Sequence, residues 1–228
     1  MTIKTICLVV GLGTGLAGRA QHLDYNRFEL IKRGGSQSPA IDLQYDDIKG
    51  SAWFPPDWQP AVLISDDGRR YTDLRAKIDL YKNIAYIKIN DTVYNINGTG
   101  ITRIIFDPGQ ADSAVFQKGV SGSGLRPEQY LQVLATGKLG LLKQRIVELK
   151  DVHDEGPLST TRTFVAQDYY YVVRPGGQIE LVKPGRKLFE QEMGEKWKTV
   201  SGYAKTMGWS AGDESGWTGI MRYYNSLP

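Results

Sequence analysis

Polar and apolar residues alternate along the central part of the chain. Apolar residues occupy every second position in the clearest of these segments: Leu74, Ala76, Ile78 and Leu80. A period of two is typical of a β-strand with one buried face. Turn-forming sequences separate this segment from similar ones: Asp66-Asp67-Gly68, Lys82-Asn83, Asn97-Gly98 and Pro175-Gly176-Gly177. Short strands joined by local turns predict an antiparallel sheet, because a parallel sheet would need crossover helices between its strands.

The pattern changes to that of an amphipathic helix beyond Pro184-Gly185. Apolar residues there recur at steps of four and three: Met193, Trp197, Val200, Ala204 and Met207. Gly194 and Gly202 weaken this pattern, because glycine disfavours the interior of a helix. Ser215 is the expected N-cap of a last helix. We therefore predict a mainly β (α+β) fold, an antiparallel meander that forms a curled sheet or small barrel, with a C-terminal helical pair packed on it.

The first twenty residues have the three-part layout of a secretory signal peptide. Lys4 precedes an apolar run over residues 5–17, and Gly18 and Ala20 supply the small residues of a cleavage site before Gln21. This layout predicts that residues 1–20 are removed and that the protein is periplasmic or secreted.

Glycines in the same stretch match the spacing of a dinucleotide-binding loop, Gly13-x-Gly15-x-x-Gly18. Such a loop needs a following helix, a second parallel strand and an acidic residue about 20 positions later. The sequence after Gly18 shows no clear strand that ends in a carboxylate. A cytosolic nucleotide-binding enzyme is therefore a remote alternative, which requires that residues 1–18 stay attached and fold.

Four segments follow from these patterns: a signal peptide at 1–20, an extended lead-in at 21–44, an antiparallel β body at 45–186 and a helical segment packed on it at 187–228. Removal of the first segment takes away Lys4 and Arg19, so the formal net charge falls from +3 to +1. A charge near zero does not favour nucleic acid as a partner. The only cysteine, Cys7, lies in the segment that is removed. No later apolar run approaches the roughly 20 residues that span a bilayer.

Residues for nucleophilic or metal-assisted catalysis are sparse. Of the two histidines, His22 lies in the lead-in and His153 lies in the acidic stretch 151–155. His153 would act there as an acid/base or metal ligand, or would simply belong to a solvated loop, which is the interpretation that we prefer. Ser121 and Ser123 lack the Gly-x-Ser-x-Gly elbow of a hydrolase nucleophile.

Adjacent acidic residues offer little for two-carboxylate catalysis. Neighbouring residues of a strand point to opposite faces, so neither Asp46-Asp47 nor Asp66-Asp67 is expected to form such a site by itself. Asp66-Asp67-Gly68 is better explained as a turn. The sequence therefore assigns no catalytic residue, no metal ligand and no cofactor.

Aromatic residues give the candidate binding site. Trp53 and Trp58 lie on either side of Pro55-Pro56-Asp57, in a segment too rich in proline for a central strand. Exposed indoles stack on sugars or anchor protein partners. We therefore take Trp53, Asp57 and Trp58 as candidate ligand-binding residues. The alternative is that both indoles belong to the core.

Short motifs extend over most of the chain beyond residue 20: Tyr45-Asp-Asp-Ile-Lys-Gly-Ser51, Asp57-Trp58, Leu80-Tyr81-Lys82, Gly137-Lys138-Leu139 with Leu142-Lys143, and Tyr223-Tyr224-Asn225. Together they resemble a family of uncharacterised exported proteins of Bacteroidota that carry a signal peptide. The family has no assigned activity and no assigned catalytic residues. The resemblance therefore implies export and a single β-rich unit.

Two classes of function remain for an exported protein of this kind. The first is a non-catalytic binding or structural module of the bacterial envelope, whose partner is a glycan or an envelope protein. The second is a hydrolase that acts on envelope or extracellular glycans through carboxylates far apart in the sequence. The sequence contains no recognisable nucleophile or metal-binding pattern, so it favours the first class and a protein that is not an enzyme.

Overall fold

The computed structural model describes residues 29–38, 41, 45–111, 113–153 and 160–228, without the side chain of His153. The predicted signal peptide at 1–20, its glycine loop and His22 lie outside the described residues, as does most of the predicted lead-in. The described chain begins with a short helical turn at 29–32, in which Leu30 is fully buried.

Beyond this helical turn, the described part of the chain contains eleven strands and three α-helices. The strands are β1 (Ser36–Gln37), β2 (Trp53–Ser65), β3 (Arg70–Asp79), β4 (Ile84–Ile89), β5 (Thr92–Asn95), β6 (Ile101–Phe106), β7 (Ala114–Gln117), β8 (Leu131–Ala135), β9 (Gly140–His153), β10 (Thr160–Val173) and β11 (Ile179–Val182). The helices are α1 (Arg186–Met193), α2 (Trp197–Thr206) and α3 (Glu214–Ser226), with 3-10 turns at Pro175–Gly177 and Gly194–Lys196. None of the helices in this part of the chain is long and apolar enough to cross a membrane.

The strands form one antiparallel sheet in the order β1-β5-β4-β3-β2-β6-β7-β8-β9-β10-β11. Its two edges within the described residues are β1 and β11, so the sheet is open and not a closed barrel. The sheet is strongly curled, and this curl brings Phe164 of β10 against two tyrosine rings, that of Tyr45, which precedes β2, and that of Tyr81, which follows β3. The ring centroids of Tyr45 and Tyr81 lie 4.9 and 5.4 Å from that of Phe164. The predicted mainly β fold with a curled antiparallel sheet is confirmed.

The two largest of four buried hydrophobic clusters, which we call the first and the second core, lie on this sheet. Residues between positions 30 and 130 form the first core, and Leu63 and Ile78 are among its fully buried members. Residues between positions 134 and 221 form the second core, in which the helices pack on β8, β9 and β10. Phe189 of α1 is fully buried there. The helices therefore cover the later half of the sheet, as a C-terminal helical layer was predicted to do.

The predicted helical stripe that begins at Met193 is divided between two helices. α1 ends at Met193, and Gly194, with φ of 54°, begins the 3-10 turn that leads into α2. The third helix, α3, follows Asp213, whose carboxylate accepts a hydrogen bond of 2.9 Å from the Gly216 N–H. The prediction of Ser215 as the N-cap is therefore wrong, because Asp213 takes this position with its own side chain.

Candidate functional site

The predicted binding residues lie on a bulge at the beginning of β2. The pairing of β2 with β3 is interrupted between two pairs of partners, Phe54 with Ile78 and Gln59 with Ala76. Residues 55–58 of β2 therefore lie opposite one residue of β3, Lys77. Pro55 and Pro56 have no N–H group to donate to the neighbouring strand, so this segment bulges out of the pairing.

The two indoles of the bulge approach the same ammonium group. Nζ of Lys77 lies 4.8 Å from the ring centroid of Trp53 and 6.0 Å from that of Trp58. Lys77 is only 6% exposed, and an aromatic face within about 6 Å attracts a cation, the more so when water is excluded. We call Trp53, Asp57, Trp58 and Lys77 together the tryptophan surface.

Trp53 is held by two tyrosines. The ring centroids of Tyr45 and Tyr86 lie 5.6 and 6.1 Å from that of Trp53. The Tyr45 hydroxyl donates a hydrogen bond of 2.7 Å to Oδ2 of Asp79, which is fully buried. Burial, and then this contact with Asp79, raises the pKa of Tyr45 above its usual value, so the hydroxyl keeps the proton that it donates. Trp53 is therefore half-buried within an aromatic cluster.

Trp58 is bordered by cations. Nζ of Lys88 lies 5.9 Å from its ring centroid, and the Arg75 guanidinium donates a hydrogen bond to its backbone oxygen. Trp58 is half-buried, and its neighbour Asp57 is exposed. This part of the surface combines a partly exposed indole with charged donors, and the carboxylate of the neighbouring residue, Asp57, is an exposed acceptor. Such an arrangement is suited to binding.

The structure brings Trp53 and Trp58 together around Lys77 and leaves Asp57 exposed beside them. Neither indole is fully buried, and neither is largely exposed. That these three residues bind a ligand stays a prediction. The sequence reasoning missed Lys77 and Lys88. The alternation of β3 placed Lys77 on the face opposite the first core, but only the bulge aligns it with both tryptophans.

A second cluster of charged residues joins β9 and β10 to α3. Nζ of Lys143 lies 2.6 Å from Oε2 of Glu214 and 3.2 Å from Oδ2 of Asp168. The Arg145 guanidinium donates two hydrogen bonds of 2.7 Å to the two oxygens of Asp168. The Tyr170 hydroxyl donates a hydrogen bond of 2.8 Å to Oε2 of Glu214. The cluster thus contains two carboxylates, the kind of pair that a glycan hydrolase would use.

Asp168 of this cluster does not have the protonation of a glycosidase general acid. Burial alone would raise the pKa of Asp168, but the hydrogen bond from Arg145 and the charges of Lys143 and Arg145 outweigh it and leave the pKa below its usual value. A glycosidase needs one carboxyl group with a raised pKa as its general acid. The cluster is arranged as an ion-pair network that joins the sheet to α3. The alternative of a glycan hydrolase stays a prediction.

The acidic pair at the turn between β2 and β3 binds a cation of the chain itself. Nη2 of Arg33 lies 2.9 Å from Oδ1 of Asp66, and Nη1 lies 2.7 Å from Oδ2 of Asp67. The two carboxylates share one partner because they lie in a turn, where neighbouring side chains need not point to opposite faces. Among the described residues, no group of three or more His, Cys, Asp or Glu side chains is placed to hold a metal ion.

Similarity to known proteins gives no indication of the function of this chain. Comparisons of this chain with protein-family models, with curated proteins and with solved structures find no match. The resemblance to exported proteins of Bacteroidota therefore stays a prediction.

Proposed function

We propose that this chain is an exported, non-catalytic module of the bacterial envelope, periplasmic or secreted, that binds a glycan through the tryptophan surface. The observation that carries this proposal is the convergence of two half-buried indoles on the Lys77 ammonium at the bulge of β2. Sugar rings present C–H faces that stack on indoles, and their hydroxyl or carboxylate groups accept hydrogen bonds from charged donors. The surface supplies both kinds of contact.

Trp58 is the expected anchor of the ligand. Trp53 packs against two tyrosines, so part of its ring already contacts the protein. The ammonium groups of Lys77 and Lys88 lie 6.0 and 5.9 Å from the ring centroid of Trp58. A sugar that stacks on Trp58 would therefore lie near two cations.

The test begins with an array of soluble bacterial glycans that includes peptidoglycan fragments, lipopolysaccharide core oligosaccharides and capsular uronates. The best ligand of the array is then titrated against the wild type and Trp58→Ala. We expect Trp58→Ala to weaken binding by about 2 kcal/mol, roughly 30-fold, because loss of an aromatic anchor has an effect of this size. The matched control is Trp197→Ala, since Trp197 is a half-buried tryptophan of α2 that stacks on Phe189.

Two results would contradict glycan binding by this surface. One is an array on which the wild type binds no glycan. The other is a Trp58→Ala variant that loses binding only in proportion to its unfolded fraction, as measured by urea unfolding. Capture of an envelope protein through Trp58 would contradict a glycan as the partner, but it would support the tryptophan surface as the binding site.

Export is tested separately by the N-terminal residue of the protein from its native host. We expect Gln21, or a residue within a few positions of it, in the periplasm or the medium. Mass spectrometry of the N-terminal peptide measures this directly. An intact Met1 in the soluble cytosol would contradict export and would favour the nucleotide-binding alternative again.

A further inference from the structure

The outer edge of β10 is only partly covered. β10 pairs with β9 along its whole length without a register shift, whereas β11 pairs with only four of its residues, from Tyr170 to Val173. At the other end of β10, Lys49 forms a parallel bridge with Thr163. Residues 165–169 lie between these two covering segments.

Hydrogen bonds at both ends of β10 show which backbone groups point outward. At one end, the Lys49 N–H donates to the Arg162 oxygen, and the Phe164 N–H donates to the Lys49 oxygen. At the other end, the Arg174 N–H donates to the Gln178 oxygen. Successive residues of a strand direct their backbone groups to opposite neighbours. Because the pairing with β9 is regular, all even-numbered residues of β10 direct these groups away from β9.

Ala166 and Asp168 therefore direct their N–H and C=O groups out of the sheet. Within the part of the chain that the structure describes, no backbone group is hydrogen-bonded to them on this side. Residues 165–167 are exposed. Unpaired donors and acceptors at the spacing of a strand form a template for one more strand.

A cleft of about 770 Å³ lies beside this edge. Its lining includes Gln167 and Asp168, whose side chains lie on opposite faces of β10, together with Leu181 and Trp217. Leu181 is 49% exposed although it is a large apolar residue. The cleft has the volume of a small-ligand site. It is therefore large enough to receive side chains of a strand placed on the edge.

We propose that the uncovered edge of β10 binds a single extended peptide by strand addition. The recess between Lys49 and Val182 runs from residue 164 to residue 170, about 20 Å at the rise of a strand, and accommodates about five residues. The segments that border the recess would collide with the edge of another sheet before its strand reached β10. A lone extended segment meets no such obstacle, and its backbone supplies the groups that Ala166 and Asp168 require.

The charges around the cleft indicate which peptide fits best. One cation, Lys183, and one carboxylate, Asp168, line the cleft, and Asp168 is paired with Lys143 and Arg145. Lys183 is exposed and has no ion pair within the described chain. The exposed ammonium group of Lys183 therefore favours an acidic residue in the peptide. The exposed Leu181 favours an apolar residue near it.

Ala166→Pro is the variant that tests this proposal. Proline at position 166 removes the outward N–H group, and its ring occupies the place of the added strand. The substitution removes no hydrogen bond with β9, and proline is tolerated at a strand edge, so the fold is retained. Ala166→Ser keeps the N–H group and is the matched control. The probe is a displayed library of random dodecapeptides, selected on the full chain, from which the enriched peptides are synthesised and titrated.

We expect the selected peptides to bind Ala166→Pro at least tenfold more weakly than the wild type and to bind Ala166→Ser within about twofold of it. Hydrogen exchange at Ala166 and Asp168 should be fast in the free protein and slow in the complex. A library without enriched peptides, or peptides that bind Ala166→Pro as tightly as the wild type, would overturn the proposal.

Two patterns of hydrogen exchange in the free protein would also overturn the peptide as the occupant. Protection of Ala166 and Asp168 that does not depend on protein concentration would show that the chain covers its own edge. Protection that increases with concentration would show that a second copy of the chain covers it.

Discussion

Replacement of Lys143 by methionine tests whether the charged cluster beneath α3 stabilises the fold. The Lys143 side chain is 9% exposed, and its Nζ lies 2.6 Å from Glu214 and 3.2 Å from Asp168. Methionine keeps an unbranched apolar side chain but removes the ammonium group. Glu214 and Asp168 therefore lose the cation that they share, while Asp168 keeps Arg145.

The exposure of the partners determines the expected magnitude. An exposed ion pair contributes about 0.2–1 kcal/mol to stability, and loss of one partner from a buried pair destabilises by about 3–5 kcal/mol. The side chains of Glu214 and Asp168 are 33% and 23% exposed, so this cluster lies between the two limits. We expect Lys143→Met to lower the free energy of unfolding by about 2 kcal/mol.

Urea unfolding of the wild type, Lys143→Met, Glu214→Gln and the double variant measures this change and the coupling between the two residues. We expect a coupling energy of about 1 kcal/mol, lower than the total because Lys143 also contacts Asp168.

The matched control for this cycle is the ion pair between Lys150 and Glu148, which lies on the same strand. Its atoms are 3.0 Å apart, but its side chains are 54% and 59% exposed. We expect a coupling below about 0.5 kcal/mol there. Equal coupling in the two pairs, or a loss of less than about 0.5 kcal/mol in Lys143→Met, would refute the reasoning that burial determines the contribution.

Acidification should destabilise the protein below about pH 4, because the folded-state pKa of Asp168 lies below its usual value and the unfolded chain takes up the proton first. The stabilisation by ionised Asp168 is complete above the usual pKa and is lost as the pH falls through the folded-state value. Urea midpoints between pH 7 and pH 2 measure this loss. Asp168→Asn should make the stability depend less on pH. Val165→Pro should destabilise the protein by about 3 kcal/mol, because the Val165 N–H points toward β9, whereas Ala166→Pro should change stability by less than about 1 kcal/mol. Equal destabilisation in the two proline variants, measured by urea unfolding, would contradict the assigned direction of the β10 edge.

The fold was largely predictable because its signals are local. The period of two in β3 and the turn at Asp66-Asp67-Gly68 depend on residues next to one another in the sequence. The curl of the sheet depends instead on contacts such as that of Phe164 with Tyr45, whose positions no local pattern relates. The choice between a curled sheet and a closed barrel therefore required the structure.

The candidate site was only partly predictable. Proline beside tryptophan indicated an irregular strand, which identified Trp53 and Trp58. The place of Lys77 depends on the number of residues in the bulge, and pairing register is a long-range property that a single sequence does not reveal. The contact between Lys143 and Glu214 joins residues 71 positions apart. It depends on how α3 packs on the sheet.

The two hydrophobic cores follow one another along the chain, and this order affects how the protein is made. All residues of the first core precede position 131, and all those of the second follow position 133. Because a nascent chain appears N-terminus first, the earlier strands can bury their apolar side chains before the three helices have been synthesised. The later half is then added to the earlier half through the antiparallel pairing of β7 with β8. The chain can therefore mature in two stages, and the buried cluster of Ala52, Val147 and Phe164, which joins the two halves, forms only in the second stage.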